Sequence, residues 1–369
     1  MPEDSSSSSA LSETTAPGSV TSLNPNLKRR CSASRTPASV DDYVAGIRSG
    51  DRVVLSRAIT LLESTRANHR ERARAVLDRC LPGTGDSLRV GITGVPGVGK
   101  STFIEALGTQ LADDGRRIAV LAIDPSSQRS KGSILGDKTR MRALAAHDNV
   151  YIRPSPTSGS LGGVARTTRE TIVLCEAAGF DTIFVETVGV GQSEITVHSM
   201  VDMFLVLALA GAGDELQGIK RGIMEMADAI VINKADGDNK RAAQRARRNY
   251  QNALHLFPEA DSGWSPPVLT CSAQTGHRID AVWDTIVAYR DHMRASGHFD
   301  RRRQRQARYW MRQTIEQRLL DDFFDDSHVQ EHLPDLKQRV LDGTLSAFAA
   351  ADRLLDVYRG TEKRSESST

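Results

Sequence analysis

Short, almost purely apolar runs alternate with amphipathic stretches through the middle of the chain. The runs cover residues 88–93, 118–123, 150–152, 182–186, 203–209, 229–233 and 268–272. Near-continuous Val, Ile and Leu over so few residues marks strands buried on both faces, and several runs end in Gly, Asp or Asn turn signals. With helices between them, they predict an α/β domain built on a mostly parallel sheet.

The flanks read differently. From Val40, the apolar residues Tyr43, Ile47, Val53, Leu55, Ile59, Leu61 and Leu62 recur at helical spacings. A charged helix over 71–81 follows, stopped by Pro82 and Gly83. Beyond Ile279 the pattern is helical again, with Trp283, Ile286 and Tyr289 on one helix, a long one over 301–324, and shorter ones near 333–341 and 345–357. Residues 1–39 are rich in Ser, Thr and Pro and are expected to be a disordered tail. The expected divisions are therefore a tail (1–39), a helical N-terminal region (40–84), an α/β domain (85–290), a helical C-terminal region (291–358) and a polar tail (359–369).

Composition narrows the classes. A formal net charge of +2 gives no electrostatic case for a nucleic-acid or membrane partner. The arginine clusters at 241–248 and 301–308 contain no aromatic residues for base stacking and read as solvated helix faces. No run approaches the ~18 apolar residues of a membrane span. The start, Met1-Pro2-Glu3-Asp4 leading into serines, has no apolar segment of the secretory kind. Four cysteines without metal-ligand spacing read as reduced thiols, which fits a cytoplasmic protein.

The candidate chemistry lies at the ends of the apolar runs. Gly94, Val95, Pro96, Gly97, Val98, Gly99, Lys100 and Ser101 fit GxxxxGK[ST], placed after a strand and opening a helix that continues through Thr102. Glycines there let backbone N–H groups wrap a phosphate at the positive end of the helix. Lys100 is expected to reach the β- and γ-phosphate oxygens, and the Ser101 hydroxyl to ligate Mg²⁺. Asn233, Lys234, Ala235 and Asp236 fit NKxD after the 229–232 run. A carboxylate at Asp236 can accept from N1–H and N2–H₂ of guanine together, a pair that adenine does not offer, so the site should favour GTP over ATP. Lys234 would lie along the base, and Ser272-Ala273 would bring a backbone amide to guanine O6.

Between these motifs, Glu186 ends an apolar strand and is followed by Thr187, Val188 and Gly189. An acid here can hold the Mg²⁺ shell, and the Gly189 N–H can sense the γ-phosphate. Glutamate in place of the more usual aspartate leaves direct and water-mediated metal contact both open. Asp124 ends the second apolar run, and Asp137 lies in the polar, Gly/Ser-rich loop that follows, 125–141. Either could join the Mg²⁺ shell or orient the attacking water, and Asp137 could instead cap the next helix. Residues 211–220 read as a charged, solvated loop.

Taken together, these motifs resemble the methylmalonyl-CoA mutase-associated GTPases, G-protein chaperones of cobalamin enzymes, some of which carry names as amino-acid transport kinases. The resemblance runs from about Tyr43 to Val357. It is strongest in Gly94 to Ser101, Asp124-Pro125-Ser126-Ser127, the 132–141 run GSILGDKTRM, the 186–194 run ETVGVGQSE, and Asn233 to Asp236. The resemblance implies a P-loop G domain of the class shared with signal-recognition-particle and metallochaperone GTPases, with a helical C-terminal dimerisation arm. It places Lys100, Ser101, Asp124, Asp137 and Glu186 at phosphate and magnesium positions. Asp214, Gln217 and Lys220 fall on a mobile segment that couples nucleotide state to the partner, so the 211–220 loop would be a third switch. The implied partner is an adenosylcobalamin-dependent acyl-CoA mutase whose cofactor loading GTP hydrolysis gates. Cobalamin would be held by that partner, since no DxHxxG-type motif occurs in this chain. A nickel-metallochaperone GTPase and a transport kinase are the competing readings. The dispersed histidines speak against the first, and the guanine motif against the second.

Overall fold

The computed structural model describes residues 38–64, 66–123, 141–154, 161–187, 193–211 and 221–360. The predicted strands are all present: β1 (Leu88–Gly94), β2 (Ile118–Ile123), β3 (Val150–Arg153), β4 (Thr182–Thr187), β5 (Met203–Leu209), β6 (Ala229–Asn233) and β7 (Val268–Thr270). They form one sheet in the order β3-β2-β4-β1-β5-β6-β7, with every neighbouring pair parallel.

Alternate side chains of each strand go to opposite faces, which is why the runs are apolar throughout. Leu121, Val185, Val206 and Ile232 pack on one face, against α1 (Val40–Arg48), α2 (Arg52–Leu62), α3 (Ala67–Cys80), α6 (Leu161–Ala177) and α9 (Lys240–Leu254). Val120, Ile92, Leu205 and Val231 pack on the other, against α4 (Lys100–Asp113), α5 (Arg142–Ala146) and α10 (Ile279–Ala295). Short helices α7 (Ser193–His198) and α8 (Arg221–Met226) flank β5 in the chain.

The N-terminal apolar stretch forms two helices, α1 and α2. Gly50, at φ 77°, turns the chain, and the Asp51 carboxylate accepts from the N–H groups of Val53 and Val54 to start α2. At the other end, α11 (His298–Asp325) is followed by α12 (Ser327–Leu341) and α13 (Ala347–Tyr358). These last two share a small core of Val329, Leu336, Ala350 and Leu354. From Val40 onward the described residues form one compact unit. No helix among them is long and apolar enough to cross a membrane.

The strand order sets the position of the site. β1 connects to β2 on one side of the sheet, while β5 pairs with β1 on the other. This reversal opens a crevice at the carboxyl end of β1, the usual ligand position in open parallel sheets. Pairing of Ile92 with Glu186, Gly94 with Leu207 and Leu209 with Asn233 brings the ends of β4, β1, β5 and β6 to that same edge.

Candidate active site

The loop leaving β1 owes its path to its glycines. Gly94 has φ 151°, and a Cβ there would lie 2.4 Å from the Leu207 carbonyl oxygen on β5. Gly99 has φ 93°, and a Cβ would press to 2.9 Å from Asn233 Nδ2. Between them Pro96 and Gly97 are exposed, while Val98 is buried and anchors the loop in the core. α4 then begins at Lys100, so its unpaired N–H groups face the loop.

Lys100 is buried, and its Nζ donates to the Gly94 carbonyl at 2.8 Å. Burial pushes its ammonium below the ordinary lysine range, and the nearby Glu186 and Glu194 carboxylates partly offset that. Ser101 Oγ donates to Glu186 Oε1 at 3.1 Å. A hydroxyl and a buried carboxylate thus meet beside an ammonium, a hard-oxygen donor pair suited to Mg²⁺. Thr187 Oγ1 donates to Thr93 Oγ1 at 2.8 Å, which ties β4 to β1 one residue beyond Glu186. Thr102 is exposed in the first turn of α4.

The NKxD segment is joined to this loop directly. Asn233 Nδ2 donates to the Val98 carbonyl at 2.9 Å, and the Ala273 N–H donates to Asn233 Oδ1 at 3.1 Å. One buried amide therefore links the phosphate loop to the loop after β7. Lys234 takes φ 58°, a conformation that costs a non-glycine residue energy, and its Nζ donates to the Gly97 carbonyl at 2.8 Å. Ser272 Oγ donates to Asp236 Oδ2 and itself accepts from the Thr275 N–H at 3.2 Å. Asp236 is thereby aimed by a fixed hydroxyl, with Ser272 and Ala273 buried behind it.

The structure thus brings together Gly94 to Ser101, Glu186, Asn233 to Asp236, Ser272 and Ala273. Asp124, Asp137, Gly189, Asp214, Gln217 and Lys220 lie outside the described residues. Three contributors were not singled out from sequence. Glu194, in the first turn of α7, is buried and acts on Lys100. Cys271 Sγ contacts Asn233 Oδ1 at 3.6 Å, and Asn239 Nδ2 donates to the Lys234 carbonyl at 2.7 Å, bracing its unusual backbone. Glu194 stood inside a recognisable run, ETVGVGQSE, and Cys271 inside the apolar run 268–272; Asn239 is visible only once the loops are placed.

A family model described as methylmalonyl Co-A mutase-associated GTPase MeaB matches residues 55–328. The chain belongs to this family. A relative from Mycobacterium tuberculosis, named as a GTPase, is 52% identical over 331 residues, covering 90% of this chain and 98% of that one. The mouse (Mus musculus) "methylmalonic aciduria type A homolog, mitochondrial" is 48% identical over 330 residues, 87% of this chain and 80% of that one. GTPase ArgK of Escherichia coli is 46% identical over 309 residues, 84% and 93% of the two chains. The crystal structure of a "LAO/AO transport system kinase" is 37% identical, covers 89% of this chain and 100% of its own, and superposes with a TM-score of 0.67. The protein is therefore a GTPase of the P-loop α/β class, and the glycine-bound loop, Lys100 and the Asn233 bridge are the parts of it that geometry joins most tightly.

Proposed function

We propose that this GTPase serves as a chaperone for an adenosylcobalamin-dependent acyl-CoA mutase, with GTP binding and hydrolysis gating cofactor loading and protection. The observation that carries the reading is the Ser101–Glu186 contact beside buried Lys100, within a family described as mutase-associated.

In this reading Gly94 to Ser101 and Thr102 cradle the phosphates. Lys100 exchanges its Gly94 carbonyl partner for phosphate oxygens, which relieves the cost of its burial. Ser101 and Glu186, with Asp124 and Asp137, hold Mg²⁺, which when bound neutralises charge developing on the transferred phosphoryl group. Asp236, aimed by Ser272, reads the guanine edge, and Asn233 keeps base and phosphate subsites in register. Gly189 senses the γ-phosphate, while Asp214, Gln217 and Lys220 relay nucleotide state to the mutase. Cobalamin is bound by the partner. The C-terminal helices pair two copies of the chain, a role supported by Met311, Ile315 and Leu319, which stand exposed at successive i, i+4 positions of α11.

The test is capture of a purified cobalamin-dependent mutase on the immobilised full chain, comparing GDP with a non-hydrolysable GTP analogue. A nucleotide-dependent complex and GTP turnover stimulated by the mutase are expected. No complex in either state would sink the chaperone reading and leave the GTPase intact. Preferential ATP turnover would instead favour the kinase reading.

A further inference from the structure

Two adjoining cavities lie where α6, the end of α7 and α11 meet. The first, about 370 Å³, has Arg166, Arg169, Ser199, Tyr309, Gln317 and Asp321 among its lining residues. The second, about 320 Å³, is lined by His198, Ser199, Arg302, Arg305, Gln306 and Tyr309. Ser199 and Tyr309 line both, so the cavities are lobes of one groove. No residue of the P-loop or of the Asn233 to Asp236 segment lines either. Each lobe falls in the size range of small-molecule sites, roughly 300–1,000 Å³.

Buried polar atoms in folded proteins are nearly always hydrogen-bonded. Among the described residues, four buried side-chain atoms have no such partner, and three belong to residues lining this groove: Arg166 Nε, Arg302 Nη2 and Gln306 Oε1. Gln306 is only 7% exposed, and its Nε2 donates to the Val201 carbonyl at 2.8 Å. That bond fixes the amide and leaves its oxygen as an acceptor awaiting a donor.

The lining is also cationic. Arg166, Arg169, Arg302 and Arg305 face it against the single acid Asp321. Asp228 pairs with Arg302 at 3.2 Å, and Arg166 reaches Glu170 only at 3.9 Å. Arg169 is stacked over the Trp310 ring at 5.2 Å, a placement that restricts its guanidinium. Partly desolvated guanidinium groups held this way are the standard recognition chemistry for phosphate oxygens.

We propose that this groove binds a small phosphate ester. Arg166 and Arg169 hold the phosphate in one lobe, and a hydroxyl or amide N–H of the organic part donates to Gln306 in the other.

The test is calorimetric titration of the full chain, saturated with Mg²⁺ and GDP so that the P-loop is filled. Glycerol 3-phosphate is the probe, and inorganic phosphate in a parallel arm separates free anion from ester. Saturable binding is expected, tighter for the ester. Arg166→Gln should weaken both ligands about tenfold, as expected for loss of one charged hydrogen bond, while GTP turnover persists as evidence of an intact fold. Gln306→Leu should remove the advantage of the ester and spare inorganic phosphate. The proposal is overturned if neither ligand binds, or if both bind Arg166→Gln and wild type equally. It is also overturned if neither binds yet Arg166→Gln weakens capture of the mutase, which would assign the groove to an acidic protein segment.

Discussion

At the scale of single residues, backbone geometry makes the sharpest demands. A methyl group at Gly94 would be driven into the Leu207 carbonyl on the neighbouring strand, and backbone cannot move aside as a flexible side chain can. Gly94→Ala should therefore lower unfolding stability by on the order of 3 kcal/mol, read by denaturant titration. Ser272 works through Asp236 rather than on nucleotide itself. Ser272→Ala removes the hydroxyl that aims the carboxylate, and KM for GTP should rise roughly tenfold with kcat little changed. The conservative Ser272→Thr should recover most of it. His198 carries a pH signature. Burial, reinforced by the Arg302 guanidinium, pulls its pKa down to about 4 from 6.5. The fold thus favours neutral imidazole, so this contribution is complete above the unfolded value, about 6.5, and is lost as pH falls through about 4. Acid titration of stability should be shallower for His198→Gln than for wild type, by no more than about 3 kcal/mol over that window. Identical profiles would contradict this assignment.

At the scale of elements, the sheet was legible because parallel strands covered on both faces must be apolar at every position. Each of the runs forms a strand, with boundaries shifted by a residue or two: β4 extends to Thr187, and β7 stops at Thr270. Beyond it Ser272 faces His277 in an isolated antiparallel bridge. The phosphate loop and NKxD were legible for another reason, since their chemistry needs particular residue types at fixed spacing. What links them was not. The strand order, the Asn233 bridge and the Ser272–Asp236 bond depend on contacts between residues far apart in sequence. The same blindness affected α11, whose arginine cluster reads as a solvated face. Arg302 and Arg303 are instead largely buried against Asp228 and Asp202. Arg303 donates to both Asp202 oxygens, at 2.8 and 2.7 Å, to the Ser87 carbonyl at 2.6 Å and to the Gly85 carbonyl. It also lies over the Phe299 ring at 4.4 Å. This one side chain fastens the base of α11 to the start of β1. Arg303→Met would leave Asp202 charged in a dry pocket, and stability should fall by about 3–5 kcal/mol. Arg303→Lys retains charge without the fork and should cost less. Thermal or denaturant unfolding of the two variants separates a bidentate clamp from simple charge neutralisation.

At the scale of the whole molecule, the two ends of α11 have opposite character. Its first turns are sunk into the α/β core through Phe299, Arg302, Arg303 and Gln306. Its later turns carry Met311, Ile315, Leu319, Leu320 and Phe324 at exposures from 46% to 62%, and Leu341 and Phe348 beyond it reach 71% and 85%. So many large apolar side chains on one helical extension exceed what scattered surface residues account for and mark an association surface. The first half is anchored in the α/β core, so whatever covers the outer half is tied to the domain that carries the nucleotide site. A second copy of the chain suits such a surface, because a two-fold pair buries the same stripe twice. Charge placed in the stripe should abolish pairing without touching the core: Leu319→Glu combined with Ile315→Glu is expected to halve the mass measured by light scattering, with GTP binding preserved. If instead the wild-type chain is monomeric at tens of micromolar, the stripe must meet the mutase. The same double variant should then fail in mutase capture while its own mass stays unchanged, so the two measurements together decide which partner the outer half of α11 was built to meet.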